Sequence, residues 1–104
     1  VSDTGQIAAV AKLVAQPGRR DELVNALKAL IDATADEPGT LMYTLHTQKD
    51  DDNTVWFYEL YADQAALSAH SHSEAMKAVG GALGGLLGGA PEITLLTPVV
   101  GKGR

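Results

Sequence analysis

An antiparallel α+β fold with helices on one face of a four-stranded sheet is what this sequence predicts, and three observations predict it. Four stretches have strand character: residues 6–15, 40–48, 54–61 and 92–97. Between the first and second, and again between the third and fourth, apolar residues recur at three- and four-residue spacings, the period of a helix packed on one side. Between the second and third strands lies only a short polar turn, Asp50 to Asn53. The order β-α-β-β-α-β is the ferredoxin-like split βαβ arrangement. The 104 residues suit one domain, with its core expected over about residues 6–99.

The first strand, Gln6 to Ala15, sets Ile7, Ala9, Ala11 and Leu13 on one face and Val10 and Val14 on the other. Two apolar faces suit a central strand. Its alanines leave room above the strand, for a pocket or for close helix packing. Pro17-Gly18 turns the chain. From Arg20, residues Leu23, Ala26, Leu27, Leu30, Ile31 and Thr34 share one helix face, with Asp21 and Glu22 at the positive end of the helix dipole. Glu37-Pro38-Gly39 ends that helix, because proline biases the preceding residue away from helix and glycine permits a turn.

Thr40 to Gln48 alternates as a second strand, Leu41, Tyr43 and Leu45 against Met42, Thr44 and His46. The aspartates that follow lack the spacing and closing glutamate of an EF-hand and read as a solvated hairpin loop. In the third strand, Thr54 to Tyr61, residues Val55, Phe57, Glu59 and Tyr61 point one way and Trp56, Tyr58 and Leu60 the other. Glu59 thus falls among apolar neighbours, where a carboxylate needs a partner or a raised pKa. A backbone amide or a basic group at a dimer contact would also satisfy it. Asp63 is the expected N-cap of a helix that continues through Ala65, Ala66, Leu67 and Ala69. His70-Ser71-His72-Ser73 interrupts it, and Ser73, Met76, Val79, Leu83, Leu86 and Leu87 suggest a further helix. That helix is weakened by glycine pairs at 80–81, 84–85 and 88–89, each interior glycine costing about 0.8–1 kcal/mol against alanine. Close packing or a loose lid would explain them. Glu92 to Thr97 forms the fourth strand, and the GKGR tail is expected to fray.

Composition removes several function classes. The formal charge is −5, with no Lys/Arg cluster, which argues against nucleic acid and anionic membrane surfaces as partners. Without cysteine the chain has no disulfide, zinc–thiolate site or thiol nucleophile. No apolar run approaches the ~20 residues of a membrane span, and VSDTG at the start is not a secretion signal. The cytoplasm is the expected compartment. The chemistry-bearing side chains concentrate in residues 53–72: Trp56, Tyr58, Glu59, Tyr61, His70 and His72, with His46 on the strand before. The sheet face away from the helices also carries apolar residues, and a second copy is its simplest cover, giving a homodimer.

DEPGTLMYTLH, a short acidic turn, VWFYELYADQAALSAHSHSEAMKAV and PEITLLTPV together resemble the antibiotic biosynthesis monooxygenase (ABM) domain family, from about Ile7 to Val99. The resemblance implies a dimeric α+β barrel. It implies oxidation of a phenolic, quinol or polycyclic aromatic substrate by dioxygen with neither metal nor flavin, though other members are isomerases or lack known activity. In such a reaction a base deprotonates the substrate and the anion passes an electron directly to dioxygen. The resemblance makes His70 the base and Glu59 its catalytic companion, with Trp56, Tyr58, Tyr61 and His46 as substrate-binding candidates. Trp56 and Tyr61 point to opposite faces, so the pocket face stays open, as does His46 between pocket rim and solvent. The arginines are Arg19, Arg20 and Arg104, so a cationic stabiliser of the anion is not evident. A non-catalytic dimeric binding or stress-related module, or an isomerase, is the alternative. Haem degradation, known in related barrels, fits less well: the first strand has no asparagine, and His70 stands where those enzymes place tryptophan.

Overall fold

The computed structural model describes residues 5–103; the first four residues of the VSDTG opening and Arg104 of the tail lie outside them. Its elements are β1 (Ile7–Val14), α1 (Arg20–Ala33), a 3₁₀ turn (Thr34–Asp36), β2 (Thr40–Thr47), β3 (Thr54–Tyr61), α2 (Gln64–Ser71), α3 (Glu74–Leu83) and β4 (Glu92–Leu96). The strands form one antiparallel sheet in the order β2-β3-β1-β4. This is the α+β ferredoxin-like fold, with β1 in the sheet interior as its two apolar faces predict.

The core lies between the sheet and α1. Leu23, Leu27 and Leu30 of α1 are buried against Leu13, Val55 and Phe57 of β1 and β3. Truncating one such leucine to alanine typically costs about 2–5 kcal/mol. Across β1, the helix-facing Ala9, Ala11 and Leu13 are buried, whereas Val14 on the other face is 36% exposed. The other face also leaves Met42 and Tyr58 exposed.

Two details depart from the sequence pattern. The β2–β3 register shifts between Thr40 and Met42, so Leu41 is the extra residue of a bulge; it is half exposed instead of sharing a buried face with Tyr43 and Leu45. The last helix stops at Leu83, before Leu86 and Leu87. Those two residues join a turn strapped to the end of β1, where Gln16 N–H donates to Leu86 O at 2.7 Å and Gly88 N–H to Val14 O at 2.7 Å. A Cβ at Gly88 would lie 3.2 Å from Ala15 O, so tight backbone approach favours glycine there. In the hairpin loop, Asp51 Oδ1 accepts from the N–H groups of Asn53 and Thr54, a local turn contact. Among the described residues no helix is long and apolar enough to cross a membrane.

Candidate active site

A cavity of about 380 Å³ opens between the helix-facing side of the sheet and the three helices. Its wall is mostly apolar, with Leu27 and Leu30 from α1 and Met76 and Val79 from α3. Its polar lining includes Tyr43, Glu59 and His70, with Gln64, Ser68, Ser71 and His72 contributed by α2 and the residue after it.

His70 arrives through local rules. Asp63 Oδ1 accepts from Ala66 N–H at 2.8 Å and caps α2. Seven residues on, about two turns, His70 lies in the last turn, on the inner face of that helix. It is 2% exposed. Its Nδ1 lies 2.7 Å from Oε1 of Glu37. An ionised carboxylate can only accept, so Nδ1 carries a proton, and in the neutral ring Nε2 is left to present its lone pair. Nε2 is buried and has no partner. Leaving a buried polar atom unpaired costs about 1–3 kcal/mol, a cost that a hydroxyl donor in the cavity would offset.

Glu37 is a residue the sequence reading placed only in a helix stop. Pro38 biases it out of helix, and its backbone is non-helical at φ −121°, ψ 83°. The same Oε1 accepts from Thr40 Oγ1 at 2.8 Å, which holds the carboxylate in place. Gly39 lets the turn lie against α2, since a Cβ there would come within 2.5 Å of Ala66 Cβ. Ala62 N–H donates to Gly39 O at 2.9 Å. The pair spans 33 residues, so helix spacing cannot reveal it.

Glu59 finds its partner two residues along its own strand: the Tyr61 hydroxyl donates to its Oε1 at 2.5 Å. Tyr43 stacks on Phe57 with ring centroids 4.4 Å apart and meets His70 edge-on at 4.6 Å. Tyr61 lies 5.4 Å from the His70 ring. Burial, and then the nearby carboxylates Glu59 and Glu37, push the Tyr43 phenol well above its ordinary range. Burial and the hydrogen bond to Glu59 do the same for Tyr61. Both phenols therefore stay protonated as potential hydrogen-bond donors. Tyr43 is the second residue not singled out beforehand; its only sequence signal is alternation onto the same sheet face as Glu59.

The structure thus brings His70, Glu59 and Tyr61 together and sets Trp56, Tyr58 and His46 on the opposite sheet face. There His46 packs on Tyr58 at 4.9 Å, Trp56 Nε1–H donates to Gln48 Oε1 at 2.8 Å, and Lys12 lies 5.8 Å over the indole. His72 is exposed, its Nδ1–H donating to Ser68 O at 2.9 Å. The two described arginines are engaged elsewhere: Arg19 pairs with Glu22 at 2.8 Å, and Arg20 donates to Asp51 O at 3.2 Å. Neither lines the cavity.

Known proteins share both the fold and the sequence pattern. An antibiotic biosynthesis monooxygenase provisionally identified in Caulobacter crescentus CB15 is 35% identical, with TM-score 0.88 over 95% of this chain and 94% of that one. The protein PA3566 of Pseudomonas aeruginosa is 26% identical, with TM-score 0.86 over 96% and 100% of the two chains. Rv0793 of Mycobacterium tuberculosis is 26% identical, with TM-score 0.85 over 94% and 99%. Among curated proteins, the uncharacterized sll1783 of Synechocystis is 25% identical over 64 residues, 62% of this chain but only 44% of that protein. The antibiotic biosynthesis monooxygenase family profile matches residues 6–80, most of the chain, and the chain belongs to that family.

Proposed function

We propose that this protein is a cofactor-independent monooxygenase that oxidises a phenolic or quinol-type aromatic with dioxygen. One observation carries the reading: a buried histidine whose Nδ1 is held by Glu37 and whose Nε2 is unpartnered, in a cavity with an apolar wall. Nε2 takes the hydroxyl proton of the substrate as general base, and Glu37 balances the imidazolium that forms. The apolar wall excludes water from the anion. With neither described arginine lining the cavity, the neutral Tyr43 hydroxyl beside His70 is a donor for the phenolate oxygen. The electron-rich anion gives one electron to dioxygen, and the substrate radical and superoxide combine at carbon. The peroxide anion takes the proton back from Nε2, and loss of water, with the hydrogen of the same carbon, leaves a carbonyl, so one oxygen atom enters the product and the other leaves as water. Glu59, tied to Tyr61, is an acceptor for a second substrate hydroxyl.

We also propose a homodimer in which the partner covers the outer sheet face. Trp56, Tyr58 and His46 then bear on assembly, and reach a substrate only if the partner brings one to that face.

Oxygen uptake by metal-free, flavin-free protein with a panel of hydroquinones and anthrone-like phenols tests the reaction. The expected result is substrate-dependent uptake that falls by roughly 10²-fold or more in His70→Ala, the usual range for losing a general base. Uptake at the autoxidation rate across the panel would sink the reading in favour of a binding module or an isomerase.

A further inference from the structure

The sheet floor of the cavity can be followed through the strand register. On the helix-facing side Tyr43 pairs with Glu59, Glu59 with Ala9, and Ala9 with Leu95. The next row runs Leu45, Phe57, Ala11 and Ile93. Along each row, large side chains stand on β2 and β3, a bare methyl on β1, and a mostly exposed apolar side chain at the β4 edge. Ala9 and Ala11 are 2% and 4% exposed, covered yet too small to fill the space above them. A central strand ordinarily carries branched or aromatic residues at such places. Gly80 of α3 also lines the cavity, and a Cβ built on it would meet nothing within 4 Å. Neither crowding nor a left-handed backbone demands glycine there, although an interior glycine weakens the helix.

We propose that Ala9, Ala11 and Gly80 are the specificity-determining positions of this site. They leave a slot over β1, along which a flat ring system reaches from the Tyr43–Glu59–His70 end toward the β4 edge. The slot favours fused two- and three-ring phenols over single rings. The buried, unpartnered Nε2 of His70 fixes the end at which the hydroxyl sits. The inference rests on the cavity being the substrate site proposed above, but concerns binding and needs no turnover.

The experiment is calorimetric titration, under nitrogen, of phenol, 2-naphthol and 2-anthrol into the wild-type chain, Ala9→Leu and Gly80→Leu. Affinity of the wild type is expected to rise with ring number. In each variant the ratio of 2-anthrol to phenol affinity is expected to fall roughly tenfold or more, the scale on which an apolar pocket responds to lost room. A ratio unchanged in both variants, or a wild type that does not favour the larger rings, would overturn the proposal. If Ala9→Leu fails to fold, as overpacking at a buried strand position can cause, Gly80→Leu at the exposed rim decides alone. Ring-dependent binding without oxygen uptake would sink only the monooxygenase reading. A wild type that binds none of the three probes would remove the slot and the substrate site together.

Discussion

His70 and Glu37 act as one unit, because the carboxylate decides which imidazole nitrogen is left for the cavity. In Glu37→Gln the amide oxygen can still accept from Nδ1–H, but the negative charge that balances an imidazolium is gone. The expected outcome is a kcat lower by roughly 10–100-fold with little change in KM, since the loss falls on the charged transition state. A raised KM at unchanged kcat would mean instead that Glu37 binds substrate. The two buried phenols make a separate prediction. Tyr43 and Tyr61 are both raised above the ordinary tyrosine range, chiefly by burial. Below about pH 10 both folded and unfolded chains keep these protons and the contribution is flat. Above about pH 10 the unfolded chain releases them while the folded chain does not, so the unfolded state binds fewer protons and stability falls as pH rises. Urea midpoints between pH 8 and 11 should show that decline, and the double variant Tyr43→Phe/Tyr61→Phe should flatten it.

Glycine has opposite meanings at two elements. At position 39 a Cβ would collide with Ala66 of α2, and the turn it serves carries Glu37 to His70. Gly39→Ala is expected to destabilise the fold by about 1–3 kcal/mol, the range for overpacking, and to lower turnover by disturbing that pair. At position 81, inside α3, a Cβ would meet nothing within 4 Å. Gly81→Ala is expected to stabilise by about 0.5–1 kcal/mol, a few degrees in Tm for a domain of this size. Thermal melts of the two variants check both signs. If Gly81→Ala also slows substrate binding, the loose helix has a part in admitting the ligand.

The whole molecule is flat, with principal extents of 42 × 31 × 20 Å and a radius of gyration of 14.0 Å, above the ~13 Å expected for a compact domain of this length. The cause is a sheet with helices on one side only. Its other side presents Val14, Met42 and Tyr58, with the exposed Leu96 of β4 beside Met42 and Tyr58. This uncovered apolar face is where the partner of the proposed homodimer would sit. Light scattering is expected to give a particle of twice the chain mass, and Tyr58→Asp, on the sheet face opposite the His70 cavity, to shift it toward monomer. A monomeric wild type at micromolar concentration would remove the dimer proposal.

Periodicity alone determined the order of elements, the alternation of β3, the Asp63 cap and the break between His70 and Ser73. These are local matters, set by which residues fall on one face at a spacing of two or of three and four. Alternation also put Glu59 and Tyr61 on one face and Trp56 and Tyr58 on the other. Which face became the cavity was decided only when the helices packed, because both sides of the sheet are apolar enough to be covered. The bulge at Leu41 and the early end of α3 escaped pattern reading, since a register shift and a strapped turn depend on hydrogen bonds to distant strands. The Glu37–His70 pair was invisible for the same reason: nothing in a Glu-Pro-Gly turn names the histidine 33 residues away that it will hold, and only tertiary contact brings the two together.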